Sequence, residues 1–119
     1  MKNDRDEESI DHRQIERIRE IGGDALLSRV IDAMLESAPR CWKELCDACQ
    51  DSRWQDAARS VHTLRSSVEH FGSRRLIDWL AELEQIFRKE KGPAQCPSLP
   101  AQEFESLMTA LIRMKKTLP

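Results

Sequence analysis

Aromatic residues are scarce in this chain of 119 residues, which has no tyrosine, three phenylalanines and three tryptophans. Aromatic side chains are among those enriched in β-strands, and glycine, which weakens helices, occurs only four times. Both shortages favour helices over sheets. We therefore predict an all-α protein of one domain, since the length suits a single hydrophobic core.

Long apolar runs and clusters of basic charge are also missing. No segment approaches the roughly 18 apolar residues of a membrane span, and the N-terminal MKNDRDEESIDHR is charged where a signal peptide would be apolar. The formal net charge is −2, and lysine and arginine are spread along the chain, so no field is present to hold a nucleic-acid backbone. We expect a cytoplasmic protein that neither inserts into a membrane nor binds nucleic acid.

The sequence contains no recognisable active site of its own. Paired carboxylates, a catalytic triad and a glycine-rich phosphate loop are all absent from the pattern. We therefore expect no independent enzymatic activity.

Four cysteines leave two interpretations open. Cys46 and Cys49 have the spacing of zinc ligands or a redox pair, and Cys41 and Cys96 are the other two thiols. Cys46 and Cys49 also continue the helical repeat of Trp42 and Leu45, as small apolar members of a buried stripe would. A tetrahedral metal site needs a second pair of ligands, so we predict core cysteines and no metal site.

The N-terminal half of the chain is predicted to contain two helices. Residues 1–9 are polar without periodicity and are predicted to form a flexible tail. A short helix follows and ends at Gly22-Gly23, and Asp24 can cap a second, longer helix. Pro39 interrupts the pattern of that helix, where we predict a kink or a break.

Three further helices are predicted in the rest of the chain. The first runs from Trp54 to Phe71, after the turn Asp51-Ser52-Arg53, with Gly72 as a left-handed stop. Ser73 opens the next, and the proline-rich loop 92–100 precedes the last. Short connections make neighbouring helices antiparallel. We predict that residues 10–119 form one domain, an antiparallel up-and-down four-helix bundle with a short additional N-terminal helix.

His62 lies on the flank of the apolar face of its helix. At about 100° per residue, the direction of His62 is about 100° from that of Val61, beyond the apolar stripe. Ala58 and Ser66, one turn away on either side, are small and leave the imidazole accessible to another protein. We therefore predict an exposed imidazole that a partner can reach.

Charged residues surround this imidazole. Arg65 carries a fork of donors that suits phosphoryl oxygens, and Arg59 and Glu69 flank it. An unprotonated imidazole nitrogen is nucleophilic near neutral pH without an activating base. Because phosphoryl transfer depends mainly on positioning and charge neutralisation, these residues suit a phosphoryl acceptor.

The stretch resembles the signature of histidine-containing phosphotransfer (HPt) domains, which carry phosphoryl groups in multistep two-component phosphorelays. That signature reads histidine, any residue, leucine, lysine, glycine, serine, with a glycine ten positions after the histidine. Here His62-Thr-Leu-Arg-Ser-Ser67 is followed by Gly72 at the tenth position. Ile18-Arg-Glu-Ile-Gly-Gly-Asp24 and Leu80-Ala-Glu-Leu-Glu84 are also similar to the family, and the likeness spans roughly residues 10 to 90.

The resemblance implies roles for the residues of the motif. His62 would accept a phosphoryl group from the aspartate of one receiver domain and pass it to another, and Arg65 would stabilise the added charge. Leu64, Ser67 and Gly72 would be structural. A receiver would dock in a transient contact over Ala58, Arg59, Ser66 and Glu69, and over the neighbouring face of the second helix.

The resemblance also implies the partners and the cofactor. The partners would be response-regulator receiver domains and a hybrid sensor histidine kinase, with this protein a monomer. It would need no cofactor of its own, because the receiver brings Mg²⁺. Arg65 and Ser66 depart from the usual lysine and glycine, and the serine is expected to restrict the choice of partners.

Two other classes of function remain open. One is an interaction module of the same ancestry that binds a receiver or a sensor kinase and blocks it without being phosphorylated. The other is a metal or redox sensor that uses Cys41, Cys46 and Cys49. The first is favoured by the departures at Arg65 and Ser66, and the second by the spacing of the cysteines.

Overall fold

The structure is a computed structural model that describes residues 9–119, so the predicted tail at residues 1–9 lies, apart from Ser9, outside the described residues. Every regular element in this range is a helix, which confirms the all-α prediction. The helices are α1 (His12–Gln50), α2 (Trp54–Val68), α3 (Arg74–Arg88) and α4 (Ala101–Thr117). None of them is both long and apolar enough to cross a membrane.

Helix α1 begins at the N-cap Asp11, whose side chain accepts a hydrogen bond from the backbone N–H of Arg13 at 3.0 Å. At Gly23 the backbone leaves helical geometry, with φ 70° and ψ −168°. The predicted boundary at Gly22-Gly23 falls at this point, where the two helical stretches of α1 meet at a kink. The positive φ is the conformation that glycine adopts without steric cost.

Pro39 lies inside α1, where a kink or a break was predicted, and the helix continues through it without a break. A proline removes one backbone donor and crowds the preceding turn. Ala38 is buried immediately before it, and Leu45 is buried beyond it. Packing on both sides of the proline therefore holds the helix, because tertiary contacts supply most helical stability in proteins.

The prediction that Gly72 is a left-handed stop after a helix ending at Phe71 is wrong. Helix α2 ends at Val68, and Gly72 does not have a positive φ. A Cβ at Gly72 would lie 2.2 Å from Cγ1 and 3.0 Å from the carbonyl oxygen of Val68. This position therefore requires glycine because of its size and not because of its backbone angles.

The chain next to Gly72 is tied to the N-terminal segment. Ile10 and Gly72 form an isolated antiparallel bridge, and the N–H of Asp11 donates to the carbonyl of Phe71 at 2.7 Å. Ser73 then caps α3, as predicted, with its Oγ accepting from the N–H of Leu76 at 3.2 Å. The end of α2 therefore has a fixed position relative to the starts of α1 and α3.

The helices share one apolar interior, and α2 lies between α1 and α3. Two pairs of stacked rings extend this interior: Trp42 with Phe104, at 4.7 Å between centroids, and Trp54 with Phe87, at 5.8 Å. The largest fully buried side chains come from all four helices and the α2–α3 connection: Leu27, Ile31, Leu45, Val61, Leu64, Val68, Phe71, Leu76, Leu80, Leu83, Leu107 and Leu111.

The prediction of unbonded core cysteines is only partly right. Cys49 is buried, with 1% of its surface exposed, but it forms a disulfide with Cys96. Cys41 and Cys46 are free and only half-buried. The helical repeat placed Cys49 in the interior correctly. It carried no information on the loop 92–100, which returns to the end of α1 and brings Cys96 within bonding distance.

Candidate functional site

His62 projects from the middle of α2, and 51% of its side-chain surface is exposed. Val61 and Leu64 on the same helix are completely buried. The apolar face of α2 therefore points into the bundle while the imidazole stands on its flank, which is the orientation expected from the sequence.

The closest partner of His62 is Glu84, on α3. The imidazole Nδ1 lies 3.0 Å from Oε2 and 3.2 Å from Oε1 of that carboxylate. An ionised carboxylate can only accept hydrogen bonds, so Nδ1 carries the proton and donates it toward Glu84. In the neutral ring the lone pair is then on Nε2, which has no hydrogen-bond partner among residues 9–119.

Glu84 binds two further cations. Arg88, one turn later on α3, donates from Nε to Oε2 at 2.9 Å, and a terminal guanidinium nitrogen of Arg65 lies 3.3 Å from Oε1. Only 12% of the Glu84 side chain is exposed, and burial alone would raise its pKa. The hydrogen bonds from Arg88 and His62, with the charge of Arg65, outweigh this and lower the pKa. The carboxylate is therefore ionised throughout the neutral range.

Arg65 is engaged by carboxylates on both sides. Besides Glu84, its guanidinium Nε lies 4.0 Å from an oxygen of Glu69, and the side chain is 28% exposed. This Nε is buried and lacks a hydrogen-bond partner in the described part of the chain. Arg65 is therefore already engaged by carboxylates in the unphosphorylated protein.

The hydroxyl groups near His62 are occupied by the backbone of α2. Ser66 Oγ donates to the carbonyl of His62 at 3.1 Å, and Thr63 and Ser67 donate in the same way to the carbonyls four residues before them. Such bonds hold a serine or threonine side chain back along the helix. The serine that stands in place of the usual glycine therefore lies close to the backbone, beside the imidazole.

The other predicted docking residues differ in accessibility. Arg59 and Glu69 are exposed, and Arg59 lies 3.7 Å from Asp56 in a loose ion pair. Ala58 is buried, with 3% exposure, and offers little surface. Of the motif residues assigned structural roles, Leu64 and Gly72 are buried and Ser67 is half-buried.

A shallow groove of about 320 Å³ lies between α1 and α2 next to Ser66. Its walls are mainly apolar, with Val30 and Met34 from α1 and Phe71 beyond the end of α2. The groove corresponds to the neighbouring face of the second predicted helix, and it is open to a partner that covers His62.

The free cysteines have surroundings that suppress their chemistry. Burial raises the pKa of the Cys41 and Cys46 thiols, and Cys41 Sγ donates to the carbonyl of Ser60 at 3.0 Å. A thiol must be deprotonated to bind a metal or attack a disulfide. Within residues 9–119, no three His, Cys, Asp or Glu side chains are grouped closely enough to hold a metal ion.

Glu84 and Arg88 are the residues of this site that the sequence analysis missed. Glu84 was part of the segment resembling the family, but its contact with His62 joins residues 22 positions apart. One signal was available, because Glu84 directly follows Leu83 and lies one turn after Leu80, both buried. A carboxylate at the edge of an apolar stripe requires a polar partner from a neighbouring helix.

Comparison with known proteins supplies one match. A family model described as Hpt domain matches residues 29–114, which include α2, α3 and most of α1 and α4. The search of curated proteins and the search of solved structures found no match.

Proposed function

The chain belongs to the family of Hpt domains, and from this premise we propose that it carries phosphoryl groups on His62 in a multistep two-component phosphorelay. Domains of this family are helical phosphoryl carriers that interact with receiver domains and kinases. The observation that carries the proposal is the geometry of His62: Nδ1 faces an ionised carboxylate, and Nε2 faces away from it on an exposed ring.

The transfer step follows from this geometry. The lone pair of Nε2 attacks the phosphorus of an aspartyl phosphate, the N–P bond forms, and the bond to the aspartate oxygen breaks. The aspartate leaves as a carboxylate, and the proton on Nδ1 stays in its hydrogen bond to Glu84. Positive charge that develops on the ring is then stabilised by the Glu84 carboxylate. Glu84 is thus a positioning residue, and His62 is the reacting group.

The remaining chemistry is assigned to the partner. The protein would contribute no active site and no cofactor of its own, and the receiver would supply Mg²⁺ and the carboxylates around it. Arg65 would turn from Glu84 toward the phosphoryl oxygens once they are attached. Receivers, and a hybrid sensor histidine kinase that feeds them, are the proposed partners of a monomeric, cytoplasmic carrier without affinity for nucleic acid.

The proposed domain comprises residues 10–119, as an up-and-down bundle with a short separate helix before Gly23. Two observations support this arrangement. Phe104, near the start of α4, stacks on Trp42, whereas Lys115, near its end, donates to Ser28 and to Asp32 at 2.7 Å. These pairs indicate that α4 runs antiparallel to α1. The non-helical backbone at Gly23 supports a division of α1.

For docking, we propose that the receiver covers His62 together with Arg59, Ser66 and Glu69 and enters the α1–α2 groove. Ala58, although buried, lies at the edge of this surface and would keep it flat. The apolar walls of the groove suit the apolar side chains that form the centre of a transient interface.

A second candidate function is supported by Arg65. Its guanidinium is already held by Glu84 and Glu69, and Ser66 occupies the position of the usual glycine. A module that binds a receiver or sensor kinase without accepting phosphate would keep both features. In that case the surface around His62 would block the partner's own phosphoryl transfer.

Substitution of His62 by glutamine distinguishes the two functions. Receiver domains charged with acetyl phosphate and Mg²⁺ are mixed with the wild type, His62→Gln and the control His70→Gln. We expect acid-labile phosphate on the wild type and on His70→Gln and none on His62→Gln, detected by mass spectrometry. If no receiver transfers label to the wild type, the carrier function is rejected, and the blocking module takes its place.

A further inference from the structure

A basic cleft lies near His62 and has none of its lining residues in common with the α1–α2 groove. It has a volume of about 720 Å³ and lies between the first turns of α2 and the chain that follows α3. The stacked rings of Trp54 and Phe87 contribute to its lining. Gly92 lies so close that a Cβ there would be 2.2 Å from the indole of Trp54. The cleft is therefore built from well-packed parts of the domain.

Cations dominate its lining. Four basic side chains border the cleft, namely Arg59, Arg88, Lys89 and Lys91, against one acidic side chain, Glu90. Arg59 and Arg88 have carboxylate neighbours, but Lys89 and Lys91 are exposed and make no ion pair within residues 9–119. This local excess of positive charge stands on a chain whose net charge is −2. The charge of the cleft lining is thus positive, whereas the net charge of the whole chain is negative.

The cleft is continuous with the site of the phosphoacceptor. Ala58, which lines it, lies one turn before His62 on α2, and Arg88, which also lines it, shares the Glu84 carboxylate with His62. The cleft therefore adjoins the side chains that surround His62.

We propose that this cleft binds acidic side chains of the receiver domain that docks on His62, with Lys89 and Lys91 as the residues that recognise them. The inference rests on the proposed carrier function and specifies the charge of the partner's contact surface. The lining carries four cations against one carboxylate, so the surface of a partner that fits this cleft is an acidic one. Such charge pairs act mainly on the rate of encounter and on the choice of partner.

The test uses the double variant Lys89→Glu/Lys91→Glu in the full chain. Its control is Arg17→Glu/Lys116→Glu, which reverses the same number of exposed charges in α1 and α4, outside the lining of the cleft. Transfer from acetyl-phosphate-charged receivers is followed at about 50 mM and about 500 mM NaCl. Direct phosphorylation of His62 by the small donor phosphoramidate reports on the acceptor without any docking.

We expect the Lys89/Lys91 variant to lose about tenfold in the second-order transfer rate at low salt, with most of the loss abolished at high salt by screening. Its labelling by phosphoramidate should stay within about twofold of the wild type, since docking is not involved. The control should transfer at nearly the wild-type rate. Equal transfer by the Lys89/Lys91 variant and the wild type would overturn the inference.

The role of the cleft can still be tested if His62 proves not to accept phosphate. If the wild type accepts no phosphate from any donor, binding of the same receivers, measured by isothermal titration calorimetry, still tests the cleft. Binding that weakens only in the Lys89/Lys91 variant supports the cleft as the receiver's contact surface. Unchanged binding, or no binding of any receiver to the wild type, overturns it.

Discussion

The two ring nitrogens of His62 have different surroundings, and one carboxylate makes the difference. Glu84 accepts a hydrogen bond from Nδ1, and its carboxylate is itself held by Arg88 and Arg65. For a metal-bound imidazole, a carboxylate that orients the ring is typically worth about ten- to a hundredfold in affinity or activity, and Glu84 orients the ring of His62 by the same kind of hydrogen bond. Glu84 should therefore set the reactivity of His62, the proposed acceptor, independently of any docking partner.

The prediction for Glu84 is a graded loss of acceptor reactivity. The amide oxygen of Glu84→Gln can still accept the Nδ1 proton but lacks the charge, whereas Glu84→Ala removes both. We expect phosphoramidate labelling of His62 to fall a few-fold in Glu84→Gln and about tenfold or more in Glu84→Ala. The imidazole tautomer, read by nitrogen NMR, should become mixed in Glu84→Ala.

The pH dependence of this effect has a defined direction. The pKa of Glu84 is lowered, so its carboxylate remains ionised as the pH falls from 8 to about 5. The advantage of the wild type over Glu84→Ala should therefore not be lost through protonation of Glu84 anywhere in that range. Glu82→Gln, an exposed carboxylate on the same helix, is the control and should behave as wild type. Wild-type rates in Glu84→Ala would show that the carboxylate is only structural.

The sequence predicted which segments are helical and which face of each helix is buried. It predicted less well where the helices end. The position of His62 on the flank of α2 followed from periodicity within one helix. The end of α2 depended instead on contact between Gly72 and Val68 and on pairing with Ile10, which lies 62 positions away in the chain. Glu84 was missed for the same reason, because its role depends on the packing of α3 against α2.

The close approach of Gly72 to Val68 can be tested by substitution. Because a Cβ would clash with Val68, Gly72→Ala should destabilise the fold by about 1–3 kcal/mol in urea unfolding. In a Val68→Ala background the cost of Gly72→Ala should fall by about 1 kcal/mol, since the closest clashing methyl group is gone.

Gly23 is the control for Gly72, because at Gly23 the backbone conformation and not the available space requires glycine. Gly23→Ala should cost about 1–3 kcal/mol through its backbone conformation alone, because φ 70° with ψ −168° is a region that residues with a Cβ rarely adopt. Beyond the adjacent backbone, no atom lies within 4 Å of a Cβ at that position. Val68→Ala should leave this cost unchanged. A full cost of Gly72→Ala in the Val68→Ala background would show that the close approach is not the reason for the glycine.

The disulfide between Cys49 and Cys96 links distant parts of the chain and could not be inferred from the sequence. Cys49 and Cys96 are 47 positions apart, and only the return of the loop 92–100 to the end of α1 brings them together. The loop is also held by Trp79, whose indole N–H donates to the carbonyl of Ser98 at 3.2 Å. The domain therefore has a closed cross-link between its first helix and the connection before its last.

This cross-link bears on the proposed cytoplasmic location, because stable disulfides are uncommon where thiols are kept reduced. Under non-reducing conditions the bond restricts the unfolded chain, and Cys96→Ser should lower the free energy of unfolding by about 2–4 kcal/mol. In dithiothreitol the two proteins should unfold at nearly the same denaturant concentration. Cys46→Ser, which removes a free thiol on the same helix, should change little in either condition. A difference between wild type and Cys96→Ser that survives dithiothreitol would mean that Cys96 stabilises the loop by packing and not by its bond to Cys49.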